Sequence, residues 1–301
     1  MLSRVKLTPY DFALYATVVL AWGFAWIAIH FQVGVVAPDV SIFWRFTLAG
    51  VIMLAIAAIR GDRLRYGLRD HAMFAALGLL LFSLNFLLFY HAAETLPSGL
   101  LSIVFSLASF INVWLGALFL NSPIDRRVVA GGLLGTAGMA ALFYPQFSGH
   151  ALPRSALIAL ALSLAGTLAF CMANIVSARI SVRRFPVFAS TGYGMLYGST
   201  GLAIYALIRG HAFTVEWTIQ YLGGLVYLAL IASVVAFACY LTLLGRIGAD
   251  RAAYVTVLGP VVALAVSTAV ENFQWTIVAL LGLVAVLAGN VLVLRPSKKS
   301  A

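Results

Sequence analysis

The chain has 301 residues, of which 63% are hydrophobic and 9% are charged. A soluble domain carries roughly 25% charged residues, so this composition excludes a water-soluble protein and indicates an integral membrane protein. The formal net charge of +10 does not indicate a nucleic-acid partner, because the basic residues lie in short loops between apolar runs, where membrane topology explains them.

Ten apolar runs follow one another along the chain and are joined by short connections. A helix that crosses a bilayer needs about 20 apolar residues. The runs predict transmembrane helices at residues 11–30, 42–59, 72–93, 98–120, 128–145, 155–178, 187–208, 219–244, 252–270 and 276–294. The predicted fold class is therefore an all-α integral membrane protein with ten transmembrane helices.

The basic residues are distributed unevenly between the two sides of the membrane. If ten helices alternate in direction, nearly all of the 19 Lys and Arg residues fall on one side of the membrane. The exceptions are Arg154 and Arg209, which fall on the other side, and Arg45, which lies just inside a helix. Cytoplasmic loops are enriched in basic residues. We therefore expect a multi-pass protein of the cell inner membrane with both termini in the cytoplasm.

The two halves of the sequence resemble each other. A shift of 151 residues aligns 72–145 with 223–296 without a gap. The matches include Phe86 with Phe237, Asn121 with Asn272, and Gly131 and Gly138 with Gly282 and Gly289. Five helices in each half make the second half enter the membrane from the opposite side, as in many secondary transporters. We predict two inverted five-helix repeats, at residues 1–150 and 151–301.

The third helix of the first half is more polar than its counterpart in the second half. Asn85 shares a helical face with Phe82, Phe86 and Phe89, and its counterpart in the second half is Ala236. Lipid offers no partner to an amide, so this face should point inward. Because architecture alone would place the amide in both halves, we interpret Asn85 as a substrate-binding residue. The alternative is a hydrogen bond between helices.

Several polar and aromatic side chains are predicted near the outer ends of the first three helices. Trp22, Trp26 and His30 form one stripe of the first helix, and the helix directions bring Arg45, Tyr90 and His91 close to its outer end. A guanidinium pairs with a carboxylate, and aromatic rings stack on one another or face an ammonium group. These residues predict an outer vestibule for a zwitterionic, partly aromatic solute. The open alternatives are snorkelling for Arg45, an interhelical hydrogen bond for His91 and core packing for the Trp stripe.

A few further residues complete the predicted site. The complete predicted substrate-binding set is Trp22, Trp26, His30, Arg45, Asn85, Phe86, Tyr90, His91, Asn112 and Tyr240. Pro260 predicts a kink in the ninth helix, which serves either as a hinge or only in packing. The glycines from Gly131 to Gly138 indicate close helix packing rather than a nucleotide loop, because no strand precedes them. No metal site is predicted.

Some short motifs resemble a known family. They are Leu258–Pro260 and Val270–Glu271 in and after the ninth helix, Trp22–Gly23 in the first and Phe43–Arg45 in the second. With ten helices in two halves, the chain resembles the drug/metabolite transporter superfamily, in its EamA-type branch. The stretch Phe89–His91 is most similar to YddG-type exporters of aromatic amino acids. The resemblance implies a transporter that exports such amino acids by alternating access.

The sequence also bears on the energy source. It has no Walker-type loop, so ATP does not drive transport directly. No carboxylate lies in the middle of a predicted helix, where proton-coupled carriers often place one, so we expect facilitated diffusion. Proton antiport through His30 or His91 is the alternative, as is export of other metabolites or toxic amphiphiles by the same fold. We expect no enzymatic activity, no cofactor, an amino-acid substrate, a lipid bilayer around the protein, and a monomer or weak homodimer.

Overall fold

The computed structural model describes residues 8–120, 126–147, 153–183, 185–247 and 255–294, and these residues are helical without any strand among them. The helices are α1 (Pro9–His30), α2 (Pro38–Ile59), α3 (Leu68–Ala93), α4 (Ser98–Ser106 and Ala108–Leu120), α5 (Arg126–Phe147), α6 (Arg154–Val182), α7 (Val187–Arg209), α8 (Ile219–Val226, Tyr227–Val235 and Ala236–Ile247), α9 (Val255–Val270) and α10 (Ile277–Leu294).

Most of these helices satisfy the requirements for crossing a bilayer. Seven of the helices in the described residues are long and apolar enough, and α9 and α10 contain shorter apolar stretches. Helix α7 is not among the seven, because its first half is rich in glycine, serine and threonine. The predicted all-α membrane fold is confirmed. The number of ten crossings stays a prediction.

Local sequence explains where several helices begin and end. Thr8 and Asp11 form a capping box at the start of α1, in which the Thr8 amide donates to Asp11 Oδ2 over 2.9 Å. Helix α9 ends at Val270, and two residues later Asn272 has a φ of 55°, which lies in the left-handed region that asparagine tolerates. The Phe273 amide then donates back to the carbonyl of Ser267 over 3.3 Å. The repeat match Asn121 lies outside the described residues.

Helices α5 and α10 cross at two pairs of glycines. A Cβ atom added at Gly138 would lie 2.6 Å from the carbonyl oxygen of Gly282, and one added at Gly131 would lie 2.6 Å from that of Gly289. The reverse additions, at Gly282 and Gly289, meet the same partners at 2.6 and 2.5 Å. The 151-residue shift relates Gly131 to Gly282 and Gly138 to Gly289, so it converts the contact between Gly138 and Gly282 into the contact between Gly131 and Gly289. The crossing therefore has two-fold symmetry. The close packing predicted for Gly131 and Gly138 is confirmed.

The same exchange relates the other helix contacts. Helix α2 packs against α7, α1 against α8 and α9, and α6 against α3 and α4. If every helix is replaced by its counterpart in the other half, five places along the chain, the contact of α1 with α8 becomes that of α6 with α3. Likewise the contact of α1 with α9 becomes that of α6 with α4, and the contact of α2 with α7 is unchanged. The two halves therefore meet around one approximate two-fold axis. The boundary predicted between residues 150 and 151 lies outside the described residues and stays a prediction.

Helices α3 and α8 each contain a π-helical segment, which the sequence did not predict. The segments are Gly78–Leu84 and Tyr227–Val235, and their last residues are equivalent under the 151-residue shift. Gly78 permits the first one, since a Cβ atom there would lie 2.1 Å from the carbonyl oxygen of Gly194 on α7. A π turn carries an extra residue and shifts the helical face that follows it. Such segments are common at functional sites.

Candidate functional site

The π segment of α8 is the meeting point of α1 and α2. Trp22 Nε1 donates a 3.1 Å hydrogen bond to the carbonyl oxygen of Ala232. The next residue, Ser233, accepts from Arg45 Nε and Nη2 at 3.4 and 3.3 Å. Two residues that the sequence assigned to the substrate site thus converge on consecutive positions of one helix. In return, the Tyr227 hydroxyl donates to the Ala21 carbonyl of α1 over 3.0 Å.

Arg45 is deeply buried rather than snorkelling. It lies two turns inside α2, and only 4% of it is exposed. Its guanidinium carbon lies 4.4 Å from the ring centre of Phe86 and 4.6 Å from that of Phe46. These distances are those of cation–π contacts. The snorkelling alternative is therefore not the arrangement that the structure shows.

Tyr90 lies beside the same guanidinium and joins it to the end of α1. The Tyr90 hydroxyl donates a 2.8 Å hydrogen bond to Gln32 Oε1, and both residues are almost completely buried. We call Gln32, Arg45, Phe86, Tyr90 and Ser233 the Arg45 cluster. Three of its members belong to the predicted set. Gln32 and Ser233 do not belong to that set.

Aromatic rings of other helices contact Trp22 and Trp26 of α1, near this cluster. The Trp22 ring centre lies 5.8 Å from that of Phe237 and 5.2 Å from that of Tyr240, both on α8. The Trp26 ring centre lies 5.1 Å from Phe89 and 5.5 Å from Phe105, and Phe105 lies 4.7 Å from Phe170 on α6. Rings from both halves of the chain therefore contact the Trp22 and Trp26 stripe of α1.

His30 contacts a residue that the sequence did not assign to the site. Its Nδ1 atom lies 3.4 Å from Glu271 Oε1, directly after the end of α9. Both carboxylate oxygens of Glu271 accept from the Ser98 amide at 3.1 Å, and its Oε2 also accepts from the Ser98 hydroxyl. Glu271 thus caps the first turn of α4, where an anion is favoured by unpaired amides and the helix dipole. The sequence had cited Glu271 only as part of a motif.

His91 also lies apart from Arg45, although it follows Tyr90 directly in the chain. Its side chain is 40% exposed, and its Nδ1 lies 3.2 Å from Glu94 Oε1. The two line a groove of about 320 Å³ with the start of α6, including Ser155 and Ile158. The single outer vestibule predicted from helix directions is therefore divided, because neighbouring helical residues point about 100° apart.

The predicted Asn residues and Pro260 have partners in the protein. Asn85 Nδ2 donates to the carbonyl of Gly166 on α6 over 2.8 Å, and Asn85 is buried. Asn112 Oδ1 accepts from Asn174 Nδ2 over 3.2 Å, also on α6. Both amides therefore join α6 to the first half of the chain. Pro260 is buried inside α9, and the kink predicted there stays a prediction.

Ion pairs tie neighbouring helices at their ends. Arg246 pairs with Asp11 at the start of α1, and Arg183 Nη1 lies 2.8 Å from Asp70 Oδ1 at the start of α3. At the opposite ends of the helices, His211 Nδ1 lies 2.9 Å from Asp39 Oδ1 at the start of α2. These pairs lie at the ends of the apolar helices, where charged groups keep access to water.

The described residues thus form a helical membrane protein of two related halves, with polar and aromatic side chains at the junction of the halves, which is the architecture of a secondary transporter. The description "EamA-like transporter family" matches the chain twice, over residues 12–144 and 152–295. The chain belongs to this family, and it is a multi-pass transporter of the inner membrane.

Several curated proteins are similar over most of their length. A "Probable amino-acid metabolite efflux pump" of Escherichia coli (strain K12) is 26% identical, over 95% of this chain and 96% of that protein. The "Uncharacterized inner membrane transporter YedA" of the same strain is 27% identical, over 87% and 83%. One solved structure, titled "Crystal structure of protein", has a TM-score of 0.69 at 18% identity and covers 94% of this chain and 95% of its own. It supports the fold alone.

Proposed function

We propose that this transporter exports amino acids with aromatic or other large hydrophobic side chains across the inner membrane. Relatives named amino-acid metabolite efflux pumps in Escherichia coli and Salmonella typhimurium support the substrate class and the direction. Two related halves support alternating access, in which the halves exchange conformations and open the same site to either side.

The observation that carries the proposal is the set of aromatic rings across α1. Trp22 and Trp26 each contact rings from other helices at 5.1 to 5.8 Å, and Trp22, Trp26, Phe105 and Tyr240 are only partly buried. Aromatic pairs prefer these offset and edge-to-face distances. An aromatic side chain of the substrate can replace one such contact when the halves separate. A ring lining supplied by both halves therefore suits an aromatic solute during alternating access.

We infer that transport is facilitated diffusion. All of the acidic side chains that the structure describes lie in a first helical turn, directly after a helix or in a loop. A proton relay at the midplane is usually built from carboxylates. Without a carboxylate there, net movement follows the amino-acid gradient.

Purified protein in proteoliposomes tests this proposal. Vesicles loaded with unlabelled phenylalanine should accumulate radiolabelled phenylalanine from outside by counterflow, with equal pH on both sides. A panel of unlabelled tryptophan, tyrosine, leucine, glycine and glutamate then ranks the competitors, and we expect the aromatic amino acids to compete best. Empty vesicles and vesicles with heat-inactivated protein are the controls. Absence of counterflow for every amino acid in the panel would overturn the proposal.

A second candidate, proton-coupled export of other metabolites or toxic amphiphiles, is favoured by one contact. His30 and Glu271 form a protonatable pair at 3.4 Å near the outer ends of α1 and α9. Under this function, uptake would require an imposed pH gradient, and His30→Gln would abolish that requirement. Under facilitated diffusion, collapse of the pH gradient leaves the rate of counterflow unchanged.

A further inference from the structure

The buried guanidinium of Arg45 has no acidic partner among the residues that the structure describes. The five ion pairs of those residues involve other side chains. Arg45 donates to the neutral Ser233 hydroxyl and lies beside the neutral Tyr90 phenol, and its Nη1 atom is buried without a hydrogen-bond partner. A charge inside a membrane protein is expensive, so such residues are paired or belong to a transport pathway.

A second buried donor in the same cluster is also unpaired. Gln32 is 1% exposed, and its Nε2 atom has no hydrogen-bond partner. The Gln32 carbonyl oxygen is occupied by the Tyr90 hydroxyl, which lies beside Arg45. The side chains that carry Arg45 Nη1 and Gln32 Nε2 therefore both lie against the phenol of Tyr90. Leaving buried donors unpaired is unfavourable, and both would be satisfied by one group with two acceptor oxygens.

We propose that Arg45 and Gln32 form the receptor for the carboxylate of the transported solute, in an inference that rests on the proposed function above. A guanidinium and a carboxylate match in geometry and charge. The ring centres of Phe46 and Phe86 lie 4.6 and 4.4 Å from the guanidinium carbon and fix its position. In the closed arrangement Ser233 occupies two guanidinium nitrogens, and separation of α2 from the π segment of α8 exposes them to the solute.

This assignment makes a carboxylate the required part of the substrate. The transporter should accept 3-phenylpropionate, which keeps the carboxylate of phenylalanine and lacks its ammonium group. It should reject phenethylamine, which keeps the ring and the ammonium group and lacks the carboxylate. The amino group then contributes less to recognition than the carboxylate does.

Competition against radiolabelled phenylalanine counterflow tests the receptor. With wild-type protein, 3-phenylpropionate should compete at least about 10-fold better than phenethylamine, since a hydrogen bond to a charged group is worth about 1.5–3 kcal/mol. In Arg45→Gln this difference should disappear, and half-saturation for phenylalanine should rise about 10- to 100-fold. Arg60→Gln, the same change at an exposed position at the end of α2, is the matched control and should behave as wild type.

Thermal unfolding in detergent separates recognition from a structural role. Removing an unpaired buried charge does not lower stability, so Arg45→Gln should unfold at the wild-type temperature or above it. The upward shift that 3-phenylpropionate produces in wild type should be lost in Arg45→Gln and reduced in Gln32→Met. A lower unfolding temperature in Arg45→Gln, with an unchanged preference for 3-phenylpropionate over phenethylamine, would overturn the receptor.

The two proposals fail separately. If wild type shows no amino-acid counterflow, the proposed function fails, and the 3-phenylpropionate shift in wild type and Arg45→Gln still decides whether Arg45 binds carboxylates. If wild type transports phenylalanine and Arg45→Gln does so with the same half-saturation, the receptor fails while the function stands. Equal competition by phenethylamine and 3-phenylpropionate in wild type also overturns the receptor.

Discussion

The side-chain amide of Asn85 joins α3 to α6 through a single hydrogen bond. It donates to the backbone of Gly166, whose own α-carbon lies so close that an added Cβ would be 2.9 Å from the Phe89 ring and 3.1 Å from the Asn85 carbonyl. This close approach leaves the amide with a partner inside the protein. Polar side chains commonly join membrane helices in this way.

We expect Asn85→Ala to reduce the free energy of unfolding by about 0.6–1.7 kcal/mol, the measured range for hydrogen bonds between membrane helices. The reduction is read from the unfolding midpoint in detergent. Ser163→Ala on α6 is the matched control, because the Ser163 hydroxyl donates to the Leu160 carbonyl of its own helix. Wild-type stability in Asn85→Ala together with a large loss of counterflow would instead support the sequence-based substrate role of Asn85.

The sequence predicted residue types at the site better than their partners. Helix directions indicated that Arg45 and Tyr90 approach each other, and in the structure they do. The partners of these two, Ser233 and Gln32, were not predicted, since they lie 188 and 58 residues away along the chain. Such contacts depend on how whole helices rotate about their axes, which the pattern of apolar residues fixes only coarsely.

Glycine contacts define the crossing of α5 and α10 at the scale of whole elements. At Gly138 and Gly282 the two backbones touch without side chains between them. Close backbone approach is a common way for membrane helices to associate, because lipid gives them no hydrophobic drive to do so. The sequence indicated close packing for the entire glycine run, and the structure distinguishes its members: the nearest atom to a Cβ at Gly135 is 3.9 Å away.

We therefore expect Gly138→Ala and Gly282→Ala to destabilise the protein by similar amounts, about 1–3 kcal/mol each, since an inserted methyl group forces the backbones apart. Gly135→Ala is the control on the same helix. It has space for the methyl group and gains helix propensity, so its unfolding midpoint should equal that of wild type or exceed it. Equal destabilisation by Gly135→Ala would contradict the crossing geometry.

Glu271 connects two elements, the end of α9 and the start of α4. Its side chain is 8% exposed and accepts three hydrogen bonds from Ser98. Charge-assisted bonds to a helix start are stronger than neutral ones. Separation of α9 from α4 would break all of them, so this contact stabilises the conformation that the structure shows.

We expect Glu271→Gln to lower the free energy of unfolding by about 1–3 kcal/mol, because the amide keeps the size and loses the charge. The unfolding midpoint and the labelling rate of an introduced Ser102→Cys thiol, which is buried on α4, measure stability and opening respectively. Glu94→Gln is the control, because Glu94 is 49% exposed and its pair with His91 contributes little. An unchanged midpoint in Glu271→Gln would show that the cap does not hold α4.

The arrangement of the whole molecule follows from the repeat. The family description matches each half separately, and the contacts of α5 with α10 and of α2 with α7 lie on the approximate two-fold axis. Chemistry departs from this symmetry: Arg45 and Tyr90 correspond to Leu196 and Leu241. A symmetric scaffold could be predicted from matching residues in the sequence, whereas the π segments could not, because no pattern of apolar residues marks the extra residue of a π turn.

The orientation in the membrane is the remaining prediction at this scale. With the cytoplasmic termini that the basic residues indicate, Leu68 before α3 lies inside and Trp217 before α8 lies outside. Both side chains are at least 85% exposed. In a background with Cys171→Ala and Cys239→Ala, a membrane-impermeant thiol reagent added to intact cells should label Trp217→Cys and should label Leu68→Cys only after the membrane is permeabilised. Labelling of Leu68→Cys in intact cells would mean that the basic loops face outward, which would contradict the predicted orientation.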